Sequence, residues 1–219
     1  MNPFLKAAIL TVLVAALALI TVNQLDNARE RTLQQSIQGV TFESDSSRLL
    51  ARYDQVMGGD ERCRLLNSSL WQAAKDRTYA LAGRIQDYQR SNVLGDQYEQ
   101  LKQQYFVSLM DLYFTQFENK KQCPAFGEKA LAFFYTAKTD CPQCRAQNDI
   151  LANLAPRCSN VRIFAFPSDT GYSFLQVLAA RYNVSGTPAL VVDDGQKLEG
   201  LQSAEQIIAA LRAAGASCS

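Results

Sequence analysis

The feature that most constrains this chain is a run of apolar and aromatic residues, Ala130-Leu131-Ala132-Phe133-Phe134-Tyr135, that feeds Cys141-Pro142-Gln143-Cys144. Beyond it, Ile150, Leu151 and Leu154 mark one face of a helix that ends near Pro156. A short run of this kind reads as a buried strand. A cysteine at the start of the following helix would sit among free N–H groups at the positive end of the dipole, and both favour the thiolate. Pro142 suits the first helical position, where a missing N–H costs nothing. Strand, Cys-Pro-x-Cys, helix is therefore what dithiol chemistry requires. An inert disulfide or half a zinc site uses the same residues, but the sequence has no second Cys-x-x-Cys and no histidine. Zinc lacks its remaining ligands, so no metal is expected. The absence of histidine also removes every Ser–His and Cys–His catalytic pair.

The downstream sequence supplies the rest of an α/β domain. Val161 to Phe166 reads as a second strand, so that two strands straddle the helix after Cys141 in a βαβ unit, and Tyr172 to Tyr182 reads as a further helix. Ala189 to Val192 and Lys197 to Gly200 flank the turn signal Asp193-Asp194-Gly195-Gln196, and Ala204 to Ala214 closes with an amphipathic helix. Immediately before the hairpin stands Gly186-Thr187-Pro188.

These residues resemble the thioredoxin family: CPQC at 141 to 144, the strand before it, and Thr187-Pro188 at the place of the family's cis-proline loop. Val184 to Ala189 followed by strand, turn and helix is particularly similar to the catalytic domains of bacterial periplasmic Dsb-type isomerases and reductases. The resemblance covers about residues 125 to 219. It implies a thioredoxin-like fold, thiol–disulfide exchange without a cofactor, Cys141 as nucleophile, Cys144 as the resolving cysteine, and a substrate shelf at Thr187 and Pro188. Two departures stand out. Tyr135 occupies the position six before the first cysteine, where the family often has an acidic residue. Gln143, not histidine, precedes Cys144, so the imidazole of strongly oxidising members is missing.

Upstream, Ala7 to Val22 holds 16 residues without a charge, of which only Thr11 and Thr21 are polar. It reads as an uncleaved membrane anchor or as a signal cleaved at Ala16-Leu17-Ala18, and both export the remainder to a compartment where disulfides persist. Residues 23 to 45 are polar and Gln-rich, suiting a linker or stalk. From 46 to 122 the pattern is helical. Leu66, Leu70, Ala73, Leu81, Ile85 and Tyr88 recur mostly at spacings of three or four, as do Tyr98, Leu101, Tyr105, Leu109 and Leu112 beyond Ser91 to Gly95. Two long helices joined by a short polar break form an antiparallel hairpin. If its turn centres on Val93, Cys63 and Cys123 arrive at the same end and pair. The aromatic face of the second helix, Tyr105, Phe106, Tyr113, Phe114 and Phe117, reads as core, or as a surface buried against a neighbouring domain. Cys158 and Cys218 are expected to pair at the end of the sheet opposite Cys141, because strand directions bring both there.

The expected division is a membrane anchor or signal at 1–22, a linker at 23–45, an all-α hairpin domain at 46–122 and an α/β thioredoxin-like domain at 123–219. Lys plus Arg is 22 against 21 for Asp plus Glu, with no dense basic run, so nucleic acid is not expected as a partner. The expected function is a thiol–disulfide oxidoreductase of the bacterial inner membrane with its soluble part in the periplasm. It acts as reductase or isomerase on protein substrates bearing disulfides or thiols, together with a redox partner protein. The competing class is a non-catalytic assembly factor of a secretion, conjugation or pilus system. Asp140 beside Cys141 opposes the helix dipole, with Lys138 available to offset it.

Overall fold

A computed structural model describes residues 12, 15–17, 20, 63, 71–92, 94–123, 126–137 and 140–219. The linker expected at 23–45, most of the expected anchor, Val93 and Lys138 lie outside the described residues. Val12, Ala15, Ala16, Leu17 and Ile20 are helical and exposed. Among the described residues no helix is long and apolar enough to cross a membrane. Residues 1–59 form one unit and residues 60–219 a second, compact one, which contains the helical hairpin and the sheet together.

The second unit starts with α1 (Trp71–Arg90) and α2 (Asp96–Gln122). The break falls at Ser91 to Gly95, where Asn92 takes φ 53 and ends the first helix. Asp96 and Glu99 open α2 and Lys120 and Lys121 close it, each sign at the favourable end of the dipole. The helices lie antiparallel, with the Thr78 and Ser108 hydroxyls 2.8 Å apart and Arg77 2.7 Å from Asp111. The disulfide between Cys63 and Cys123 closes their far end, with Cα atoms 5.4 Å apart.

The sheet contains β1 (Lys129–Tyr135), β2 (Val161–Pro167), β3 (Ala189–Val192) and β4 (Gln196–Glu199), in the order β2-β1-β3-β4. β1 runs parallel to β2 and antiparallel to β3, and β3 to β4 is a hairpin. Asp193 and Asp194 both have positive φ in its turn, the handedness that matches strand twist. Three helices complete the fold: α3 (Pro142–Leu154), α4 (Ser173–Arg181) and α5 (Ala204–Ala213). β1 is buried on both faces, which is why it reads as a continuous apolar run and not as an alternation.

Alternate residues of the strands supply two cores. Ala132, Phe134, Phe164, Phe166 and Val191 face α2 and α4, whereas Leu131, Phe133, Leu190 and Val192 face α3 and α5. The aromatic face of α2 is thus buried against the sheet. Tyr113 sits edge-on to Phe164 and Phe166, with ring centroids 5.0 and 5.4 Å away. Phe114 departs from that face: one position further round the helix, it is half exposed. The Tyr113 hydroxyl bonds that of Tyr182 at 2.8 Å, Tyr182 donates to Asp194 at 2.6 Å, and Arg181 pairs with the same carboxylate. This chain of bonds ties the hairpin to α4 and to the β3–β4 turn.

Burial raises the ionisation of Tyr113 far above the ordinary tyrosine range, and that of Tyr135 to about 12. In both cases the folded state holds the proton more tightly than the unfolded chain. The associated stability is present in full below pH ~10 and is lost as pH climbs through the folded values. Tyr135 alone should lose about 2 kcal/mol by pH 12. Denaturant unfolding measured from pH 9 upward, with tyrosinate followed by ultraviolet absorbance, should display a declining midpoint; a flat profile to pH 12 contradicts it.

Candidate functional site

At the top of the sheet β1 ends at Tyr135, and Cys141 caps α3. Cys141 Sγ accepts the amide of Cys144 at 3.1 Å, so this sulfur occupies the place of a capping oxygen. Pro142 takes the first helical position. Cys144 lies one turn in and is 5% exposed, whereas Cys141 is only partly buried. The two are joined as a disulfide with Cα atoms 5.2 Å apart. One sulfur is therefore offered to solvent at a helix N-terminus and its partner is withheld in the core. The outer sulfur can accept attack or deliver it, and the inner one can reclaim it.

The register of β1 with β3, Phe134 opposite Ala189, carries the residues before β3 to the same end of the sheet. The Thr187–Pro188 peptide is cis, and Pro188 is buried. Gly200 donates to the Pro188 carbonyl at 2.9 Å. Its φ of +74 belongs to the left-handed region that favours glycine. Thr136 closes the space between the two segments: its hydroxyl lies 3.8 Å from Cys144 Sγ and 3.5 Å from the Thr187 hydroxyl.

Asp140, directly before Cys141, is paired with Arg145, directly after Cys144. The counter-charge to Asp140 is thus Arg145, from the first turn of α3, while Lys138 lies outside the described residues. Gln147 anchors the helix from behind. Fully buried, its side chain accepts from the Gln202 amide at 2.8 Å and donates to the Gln202 carbonyl at 3.4 Å. An open pocket of about 780 Å³ adjoins the disulfide, with Phe133, Tyr135 and Ala165 in its wall and Arg145, Asn148 and Asp149 among its polar residues.

The structure brings Cys141, Cys144, Thr187 and Pro188 to this one end. The remaining cysteines lie elsewhere. Cys158 and Cys218 are bonded at the opposite end of the sheet, where Ser159 pairs with Ser217 and Ser219 with Arg157 in a short antiparallel contact. All six cysteines are in disulfides. The sequence reading passed over Thr136, Arg145 and Gln147. Only Gln147 carried a detectable signal, since Cys144, Gln147, Leu151 and Leu154 form one helical stripe.

A family model described as a thioredoxin-like domain matches residues 116–215, beginning within α2. No curated protein matches the chain. Similar solved structures include thioredoxin O2 from Arabidopsis thaliana in its oxidised state. It is 19% identical over 40% of this chain and 75% of that one, with a TM-score of 0.32.

Proposed function

Residues 116–215 form a thioredoxin-like domain, and on that premise we propose that the chain is an exported, membrane-anchored thiol–disulfide oxidoreductase that acts on protein disulfides through Cys141 and Cys144. The observation that carries this reading is the asymmetry of the pair. Cys141 Sγ receives an amide at a helix N-terminus on the accessible side, and Cys144 is buried behind it. The reduced Cys141 thiolate attacks a substrate disulfide, forming a mixed disulfide and releasing one substrate sulfur. Cys144 then attacks Cys141, the internal disulfide closes and the second substrate sulfur leaves. Two electrons pass from the dithiol to the substrate, and a redox partner protein returns them. Extended substrate lies on the shelf at Thr187 and Pro188, its backbone pairing as an added strand.

The direction of flow is reducing or isomerising. Position 143 holds Gln, so no imidazolium lowers the Cys141 thiol further, and Asp140 adjoins it. Its pairing with Arg145 is exposed and worth little. Alkylation of the reduced protein across a pH series should half-label Cys141 near pH ~7. A midpoint below pH 5 would instead mark a strong oxidant.

Residues 4–22 hold the protein at the bacterial inner membrane, with the remainder in the periplasm. The support is the apolar segment and three disulfides, two of which close long loops. Protease added to intact spheroplasts should degrade the chain, and a soluble product beginning at Leu19 would refute the tether. A second reading, a non-catalytic assembly factor, draws on Val107 and Phe114, which stand exposed on the outer face of α2. Replacing Cys141 and Cys144 together by serine abolishes the cellular phenotype only under the enzymatic reading.

A further inference from the structure

The helix N-terminus accounts for an activated Cys141 but not for Cys144, which must shed a proton from a buried position to resolve a mixed disulfide. The chain has no histidine, and Tyr135 stands where a carboxylate would serve as the relay. Among the described residues, the side-chain oxygen in contact with Cys144 Sγ is Thr136 Oγ1, at 3.8 Å, and the same oxygen lies 3.5 Å from Thr187 Oγ1. Both are hydroxyls, each able to donate and accept. They form a line from the buried sulfur to the residue preceding Pro188.

We propose that Thr136 is the catalytic hydroxyl of the resolving step, taking the Cys144 proton and handing it through Thr187 to the departing substrate. This inference rests on the reading of CPQC as the exchange site. In the mixed disulfide, Cys141 Sγ is bonded to the substrate sulfur and Cys144 carries a thiol. Thr136 accepts that proton as it passes its own to Thr187, and Thr187 passes its own to the substrate sulfur. The Cys144 electron pair forms the bond to Cys141 Sγ. The bond from Cys141 to the substrate breaks, and its pair leaves with the substrate as a neutral thiol. Cys144 is oxidised and the substrate sulfur reduced, so no further reactant is needed. Thr187 is the outer link of this relay and meets the substrate sulfur directly.

The test separates the two steps in the full chain, using glutathione disulfide as the probe, with acid quenching and mass analysis. Formation of the Cys141–glutathione adduct reports the first step and its decay the second. Thr136→Val keeps the shape and removes the hydroxyl. It should slow decay of the adduct about ten-fold or more, the order expected for a lost hydrogen bond to a charged group, while adduct formation is unchanged. Thr136→Ser should restore the rate, and Thr187→Val, which removes the second link, should also slow decay. Decay in Thr136→Val within two-fold of the parent, or a serine variant as slow as the valine one, overturns the proposal. A parent protein that never forms the adduct overturns the exchange reading itself.

Discussion

Cys141→Ser should abolish disulfide exchange, lowering turnover of a protein disulfide by about 10³-fold or more, the scale on which removal of a nucleophile is felt. Cys144→Ser should have an opposite signature. Its Cys141 still attacks, but the buried sulfur that would release the product is gone, so substrates accumulate as mixed disulfides. The contrast follows from exposure: the accessible sulfur caps α3, and its partner is 5% exposed. Non-reducing electrophoresis of cell extracts reads the difference directly. Adducts on Cys144→Ser and none on Cys141→Ser are expected, whereas adducts on both would assign the attack to another cysteine.

Replacing Cys158 and Cys218 together by alanine should cost about 4 kcal/mol by the loop-entropy model, because that bond spans a separation of 60 residues. The Cys141–Cys144 bond spans a separation of 3, for which the same model yields only about 2 kcal/mol. This difference has a functional meaning. The redox pair can open and close in each cycle while the long-range bonds keep the domain folded. Equilibrium denaturation should therefore move about twice as far for the distal pair as for the double serine variant at CPQC. Equal shifts would contradict that division of labour.

The sheet and its helices were legible where local pattern and burial agree. β1 is buried on both faces and so appears as an unbroken apolar run, and the spacing of Ile150, Leu151 and Leu154 marks α3. The β3–β4 turn announced itself through Asp193, Asp194 and Gly195, although the second strand begins at Gln196, one residue earlier than the expected Lys197. The helical hairpin was readable from its periodicity. Its burial against the sheet was left open, because Tyr113 meets Phe164 only after some fifty intervening residues have folded. The boundary at 122 separated α2 from the sheet, whereas the family match begins at residue 116, inside that helix.

At the site, cysteines and proline carry their chemistry in their identity, so Cys141, Cys144 and Pro188 stand out in a bare sequence. Thr136 does not. A single threonine after a strand has no periodicity, and its meaning comes from two oxygen and sulfur neighbours 8 and 51 positions away. Gln147 appears as an ordinary polar helix residue, yet it is fully buried because its amide matches both backbone groups of Gln202. Arg145 paired with Asp140 is a contact across five residues that no motif encodes.

The most direct test of the exchange reading is the reduction potential of the Cys141–Cys144 pair, measured by equilibration with glutathione buffers and peptide mapping of all six cysteines. The account predicts reversible opening of this pair alone, at a potential between about −270 and −180 mV, the range of reducing and isomerising exchange proteins, with the other two bonds intact. A pair that stays closed below about −300 mV, as structural disulfides do, would contradict it.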